Sequence, residues 1–216
     1  MNRRTLVLVI SALMLAAFAA AAFFQLRAPQ PQQQAAPAVQ DRSVLVRFHS
    51  PMFGPADAPV TIVEFFDPSC EGCRAFYPIV KQILAENPGD VRLVIRYVLF
   101  HQGSEEVARM LEAARKQNVF PQVLEAVLAA QPGWHDDPKV AKAWEAAAAA
   151  GLNMDKARAD MYLPEVDAVL RTDMQDVETV GVRGTPTFFV NGQPLTEFGP
   201  EPLRQLVRSE IVKARK

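Results

Sequence analysis

The sequence predicts an α/β domain: a strand, a helix and a second strand, then a long helical insertion, a β-hairpin and a closing helix. Three observations predict it. The runs Val60–Phe66 and Val91–Phe100 are apolar, β-branched and aromatic, as strands covered on both faces are. Between them Phe76, Tyr77, Val80, Ile83 and Leu84 recur at helical spacing. Far downstream, Thr187–Val190 and Gln193–Leu195 flank Asn191-Gly192, a hairpin turn pair. The chain has 216 residues, half of them hydrophobic, enough for one domain with a sizeable core. A formal net charge of −1 excludes a generally basic nucleic-acid binder.

The elements follow in chain order. Residues 1–26 read as a targeting segment, because Arg3 and Arg4 precede the apolar run Leu6–Phe24, interrupted only by Ser11. The run is long enough for an uncleaved membrane anchor, and its small residues also suit a cleaved signal. In either case the paired arginines hold the N-terminus in the cytoplasm and the rest is expected to be exported, to a periplasmic or other extracytoplasmic site. Residues 27–42, rich in Pro, Gln and Ala, read as a linker. The domain proper is expected over 43–216, beginning with an edge strand at Ser43–His49. A strand over Val60–Phe66 is interrupted by Glu64. After the turn Asp67-Pro68-Ser69, a helix is expected from about Cys70 to about Glu86, kinked at Pro78. The strand Val91–Phe100 then pairs in parallel with the first through a right-handed crossover. From about 102 to 180 the pattern is helical, clearest at Ser104–Gln117, Phe120–Ala130 and Pro138–Ala150. Pro164 opens one more helix that Gly181 ends. Trp134 and Trp144 are expected to fill the core of this insertion. The final helix spans Pro202–Ala214.

The only two cysteines, Cys70 and Cys73, form a CxxC at the start of the first helix. Residues at i and i+3 share a helix face, so the two sulfurs come within disulfide reach. The unpaired backbone N–H groups and the positive field of the helix N-terminus favour a thiolate at Cys70. Cys70 is therefore expected to be the nucleophile and Cys73, one turn in, the resolving thiol. Arg74 stands where a haem-attachment motif requires histidine. A zinc or copper site would need His49, His101, His135 or a carboxylate added to the thiols. That metal-binding module stays open as a rival of a different class, as does a purely structural disulfide. His101, at the end of the second strand, is a candidate for the rim of the same site.

The stretch Val63–Cys73, VEFFDPSCEGC, resembles the active-site strand and turn of thioredoxin-fold proteins, and Val180–Gly192, VGVRGTPTFFVNG, resembles their cis-proline loop. With the helical insertion between them, the whole domain resembles the DsbA-type branch of exported thiol-disulfide oxidoreductases. The segment FDPSC is also similar to DsbG-type isomerases. The resemblance implies a thioredoxin fold with an inserted helical subdomain, attack by Cys70 and resolution by Cys73. It implies that Pro186 is the cis-proline and that backbone groups of Thr185 pair with an extended substrate strand. It implies that Glu64, six residues before Cys70, is a buried acid below the site that exchanges a proton with Cys73, rather than a surface glutamate.

One departure bears on redox tuning. DsbA oxidases commonly carry Pro-His between the cysteines, and here the pair is Glu71-Gly72. A carboxylate beside Cys70 is expected to disfavour its thiolate and make the couple less oxidising. The reading is thus an exported protein thiol-disulfide oxidoreductase acting on cysteine-containing proteins, with no metal or organic cofactor. A redox-recycling partner, expected in the membrane, would reset the pair. A reductase for exported proteins or for cytochrome or copper-centre maturation is the alternative within the same fold.

Overall fold

The computed structural model describes Asn2 and residues 42–215. The expected targeting segment and linker, Asn2 and Arg42 apart, lie outside the described residues. A five-stranded sheet organises the chain, in the order β1 (Met52–Phe53), β3 (Val91–Tyr97), β2 (Val60–Phe66), β4 (Thr187–Val190), β5 (Gln193–Pro194). β2 and β3 are parallel, in register from Val60 opposite Val91 to Phe66 opposite Tyr97, and every other pairing is antiparallel. The crossover between them is α1 (Glu71–Glu86). The insertion contributes α2 (Ser104–Lys116), α3 (Phe120–Ala130), α4 (Ala141–Ala149), α5 (Met154–Asp160) and α6 (Pro164–Val180), and α7 (Pro200–Ala214) closes the fold.

Period-two alternation along β2 and β3 divides the core between the two faces of the sheet. Val60, Ile62 and Phe66 join Leu93, Ile95 and Tyr97 beneath α1, α2 and α7, where Trp134 and Trp144 of the insertion also pack. Val63 and Phe65 join Val94 and Val98 against Val177 and Val180 of α6. Glu64 has the parity of Ile62 and Phe66, so its carboxyl belongs to the α1 face, the face that carries Cys73.

The helix expected from Pro138 starts at Ala141, the closing helix starts at Pro200 and the last strand ends at Pro194, and two larger departures from the sequence expectation have a visible cause. The edge strand expected at Ser43–His49 does not form; Arg42–Val44 is a 3-10 turn, and β1 lies later. The cause is a buried arginine. Arg96 donates to the Val44 and Leu45 carbonyls and to Asp173 and Asp176, while Arg47 pairs with Asp176 and His49 with Asp173. Side chains thus anchor this stretch over α6, and the Pro51 carbonyl accepts the Ile95 N–H on the side of β3 that β1 pairs with. The second difference is that β3 ends at Tyr97 and not at Phe100. Val98 N–H still donates to the Phe66 carbonyl, but the N–H groups of Phe100 and His101 donate to the Asp67 carboxylate, which pulls the chain off the ladder.

Candidate active site

The site stands where β2 runs into α1. Asp67 makes the turn: its Oδ1 accepts the Ser69 N–H at 2.8 Å and its carbonyl accepts the Cys70 N–H at 3.1 Å, so the chain reverses within one turn and α1 starts. Cys70 is the N-cap, extended at φ −77° and ψ 123°, with no side-chain cap. The N–H groups of Gly72 and Cys73 are therefore open towards its sulfur. Cys70 is 8% exposed, its thiol donates to the Thr185 carbonyl at 3.2 Å, and Cys73 is fully buried.

The two thiols are driven apart in acidity. Cys70 is lowered from 9.0 to about 5, chiefly because the Cys73 thiol hydrogen-bonds to its sulfur. Burial opposes this, and the Thr185 side chain and the N–H groups of Cys73 and Gly72 add to it. Cys73 is raised well above 9.0 by burial first, then by the same hydrogen bond and by the charges of Glu64 and Cys70, while the Asp67 N–H, 3.4 Å from its sulfur, lowers it. Glu64 is 2% exposed, its Oε1 has no hydrogen-bond partner, and its pKa is pushed from 4.5 to about 8 by burial first and by Cys70 second.

Opposite Cys70 lies the loop before β4. The Thr185-Pro186 peptide bond is cis. Gly72 faces it so closely that a Cβ there would stand 3.1 Å from Pro186 Cδ and 3.4 Å from the Thr185 carbonyl oxygen. Glycine at this position thus lets the helix start and the proline loop touch. Thr185 is buried beside Cys70. Phe198, 4.6 Å from Phe76 between ring centroids, and Phe100, whose N–H donates to Asp67, are both exposed.

The remaining expected residues sit further out. Glu71 is largely exposed, with a carboxylate oxygen 3.9 Å from His135 Nε2. His101 is half exposed, and its Nδ1 lies 2.8 Å from Asp67 Oδ2, one residue removed from the thiols. The three histidines pair with carboxylates, His49 with Asp173, His101 with Asp67 and His135 with Asp136. Among the described residues no group of three or more His, Cys, Asp and Glu side chains is arranged to hold a metal.

Sequence reasoning missed two residues. Asp67 is fully buried and accepts five hydrogen bonds, from the N–H groups of Ser69, Phe100 and His101, from His101 Nδ1 and from Ser104 Oγ. Its signal was present, since Asp-x-Ser before a helix is an Asx-turn pattern. Gln131, in the 3-10 turn after α3, donates from Nε2 to the carbonyls of Pro68 and Cys70 at 2.8 and 3.0 Å and accepts from Arg74 at Oε1. Nothing in its local sequence marks it, because the contact joins positions 61 residues apart.

A CxxC at a helix start, a cis-proline loop across from it and a helical insertion between β3 and β4 make a thioredoxin-type oxidoreductase fold with the DsbA-like arrangement of its helices. Residues 48–208 match the family model described as Thioredoxin, and the chain belongs to that family. A thioredoxin-like oxidoreductase from Silicibacter pomeroyi is 27% identical, with a TM-score of 0.70 over 82% of this chain and 98% of the other. Alpha-DsbA1 of Wolbachia pipientis superposes with a TM-score of 0.70 over 79% of this chain and 95% of that one; at 16% identity the likeness concerns the fold alone. In sequence, 168 residues are 32% identical to the Na(+)/H(+) antiporter NhaA 3 of Salinispora tropica, covering 75% of this chain. The chain spans about a quarter of the length of that curated relative, 25%. Among the described residues no helix is long and apolar enough to cross a membrane.

Proposed function

We propose that this chain exchanges disulfides with cysteine-containing proteins outside the cytoplasm, in the direction that donates disulfides. The observation that carries the reading is the split between the thiols, with Cys70 near 5 and Cys73 far above it. In the oxidised form a substrate thiolate attacks Cys70 Sγ, and the Cys70–Cys73 bond breaks with its electron pair left on Cys73. Cys73 then takes a proton, for which Glu64 is the donor. Its raised pKa keeps Glu64 protonated at neutral pH, and its carboxyl has no competing partner. A second substrate thiolate attacks the substrate sulfur of the mixed disulfide, so the substrate disulfide forms and Cys70 leaves as thiolate. A low-pKa thiolate is the better leaving group, which favours this direction. The Thr185 backbone and Pro186 would receive an extended substrate segment beside Cys70. No cofactor takes part, and a membrane-bound partner would reoxidise the pair.

Export rests on the sequence, through Arg3, Arg4 and the apolar run Leu6–Phe24, held as an anchor if uncleaved. The antiport activity of the curated relatives is not carried over, since the shared stretch is a quarter of their length. The test is the equilibrium redox potential of the full chain in glutathione buffers, read by thiol alkylation. A value near about −120 mV fits a disulfide donor, and one near about −270 mV makes the chain a reductase. Cysteines that never form a reversible internal disulfide would overturn the exchange reading.

A further inference from the structure

Exchange in either direction puts negative charge on Cys73, the more deeply buried sulfur. In the forward step that sulfur is expelled from the disulfide as thiolate. In the reverse step the Cys73 thiolate attacks Cys70 Sγ of the mixed disulfide, and the substrate sulfur leaves with its electron pair. A buried charge of this kind needs a donor already in place, because reorganising one during the step costs rate.

The structure holds one such donor. Asp67 N–H points at Cys73 Sγ at 3.4 Å, and the Asp67 carbonyl accepts the Cys70 N–H at 3.1 Å, so one peptide segment addresses both cysteines. That segment cannot drift, because the side chain is saturated. Oδ1 takes the Ser69 N–H at 2.8 Å and Ser104 Oγ at 2.6 Å; Oδ2 takes the Phe100 N–H at 2.9 Å, the His101 N–H at 3.2 Å and His101 Nδ1 at 2.8 Å. Four of the five reach across 33 to 37 residues, from the junction where the helical insertion begins. Of the side chains facing this carboxylate, His101 alone carries a titratable group, and it is half exposed at the rim.

We propose that Asp67 is a positioning residue for the resolving cysteine: its carboxylate, pinned by His101, Ser104 and three backbone groups, holds its own N–H on Cys73 Sγ to meet the charge that exchange puts there. Its role is separate from that of Glu64, which has a free oxygen and moves the proton, whereas Asp67 has its oxygens occupied and moves nothing. The inference rests on the exchange reading above.

The test uses the full chain in single turnover with a cysteine-containing peptide, quenched with acid and resolved by mass. Asp67→Asn keeps the size but cannot accept at both positions, so the N–H shifts. Loss of a whole oriented donor costs about a hundredfold or more, and displacement of this one is expected to slow the two steps that charge Cys73 by about tenfold. The pH midpoint for alkylation of Cys70 is expected to stay in place, a result that general loosening of the site would not give. Ser104→Ala, which removes one donor, is expected to slow the same steps less and serves if Asp67→Asn does not fold. The proposal is overturned if the folded Asp67→Asn protein, or Ser104→Ala in its stead, exchanges within twofold of the parent, or if the Cys70 midpoint moves with the rate. A parent chain that does not exchange at all would instead overturn the function.

Discussion

Replacing Glu64 by glutamine should make the protein more stable at alkaline pH while impairing its chemistry. Below about pH 4.5 the carboxyl is protonated in both folded and unfolded chains. Between 4.5 and about 8 the unfolded chain releases the proton and the folded chain keeps it, so stability falls as pH rises, and above 8 the loss is complete. Lifting a carboxyl from 4.5 to about 8 corresponds to roughly 5 kcal/mol at about 1.36 kcal/mol per tenfold, a ceiling that relaxation around the charge would reduce. Cys70 has the opposite sign. Its pKa falls from 9.0 to about 5 on folding, so between those values the folded dithiol has lost a proton that the unfolded chain keeps, and stability rises with pH. In the reduced protein the two slopes oppose each other. In the oxidised protein neither cysteine has a proton to release, and of the site's groups Glu64 alone titrates, raised by its burial without the charge of Cys70.

The assay is urea denaturation of both redox forms, parent and Glu64→Gln, from pH 4.5 to 8.5. The oxidised parent is expected to lose several kcal/mol across that range, and oxidised Glu64→Gln is expected to lose little. The reduced parent should be nearly flat, and reduced Glu64→Gln should gain stability with pH. Parallel profiles for the oxidised pair, within about 0.5 kcal/mol throughout, would refute the reasoning, because Glu64 would then carry no buried proton.

Three further outcomes are expected. Iodoacetamide should modify Cys70 of the reduced protein with a midpoint near pH 5 and leave Cys73 untouched until strongly alkaline pH; simultaneous modification near pH 9 would contradict the assigned environments. Arg96→Met strands Asp173 and Asp176 without their shared guanidinium, and the expected loss is about 3–5 kcal/mol, read as a fall in urea midpoint at pH 7. Gln131→Ala leaves the Pro68 carbonyl without its side-chain donor and should cost about 1–3 kcal/mol, with slower exchange; unchanged stability would show that water replaces the amide.

What the sequence disclosed and what it hid follow from the range of the interactions. The β2 and β3 runs, the CxxC helix, the Pro164–Gly181 helix and the hairpin at Asn191-Gly192 all declare themselves through periodicity or turn chemistry within a few residues. The Thr185-Pro186 cis bond was reached through resemblance, since proline alone says nothing of its isomer. The false edge strand at Ser43–His49 shows the limit from the other side. Its apolar pattern was real, because Val44 and Leu45 are buried, but adjacent burial is not alternation, and the partner that decided the matter was Arg96 in the middle of an apparently apolar strand. A charged residue at that position was the available warning, as Glu64 was in β2. Gln131 had none, because its value lies in the two carbonyls it reaches and not in its neighbours.

Glu64 and Asp67 lie three residues apart, both buried, and the difference in their surroundings separates proton transfer from positioning. A carboxyl that can carry a proton must keep an oxygen free and a pKa near the working pH, and Glu64, in an apolar strand with Oε1 unpartnered, meets both conditions. A carboxyl that fixes geometry must have its acceptor sites filled, and Asp67, at the strand end where three backbone N–H groups, a histidine and a serine converge, is filled. The first environment comes from the core on the face of β2 that Glu64 shares with Ile62 and Phe66. The second needs the insertion, which supplies His101 and Ser104 to Asp67 and Gln131 to the Cys70 carbonyl. Shortening the insertion would therefore be expected to leave the proton site in place and release the cysteine turn, so that Cys70 is still alkylated at low pH while resolution through Cys73 fails.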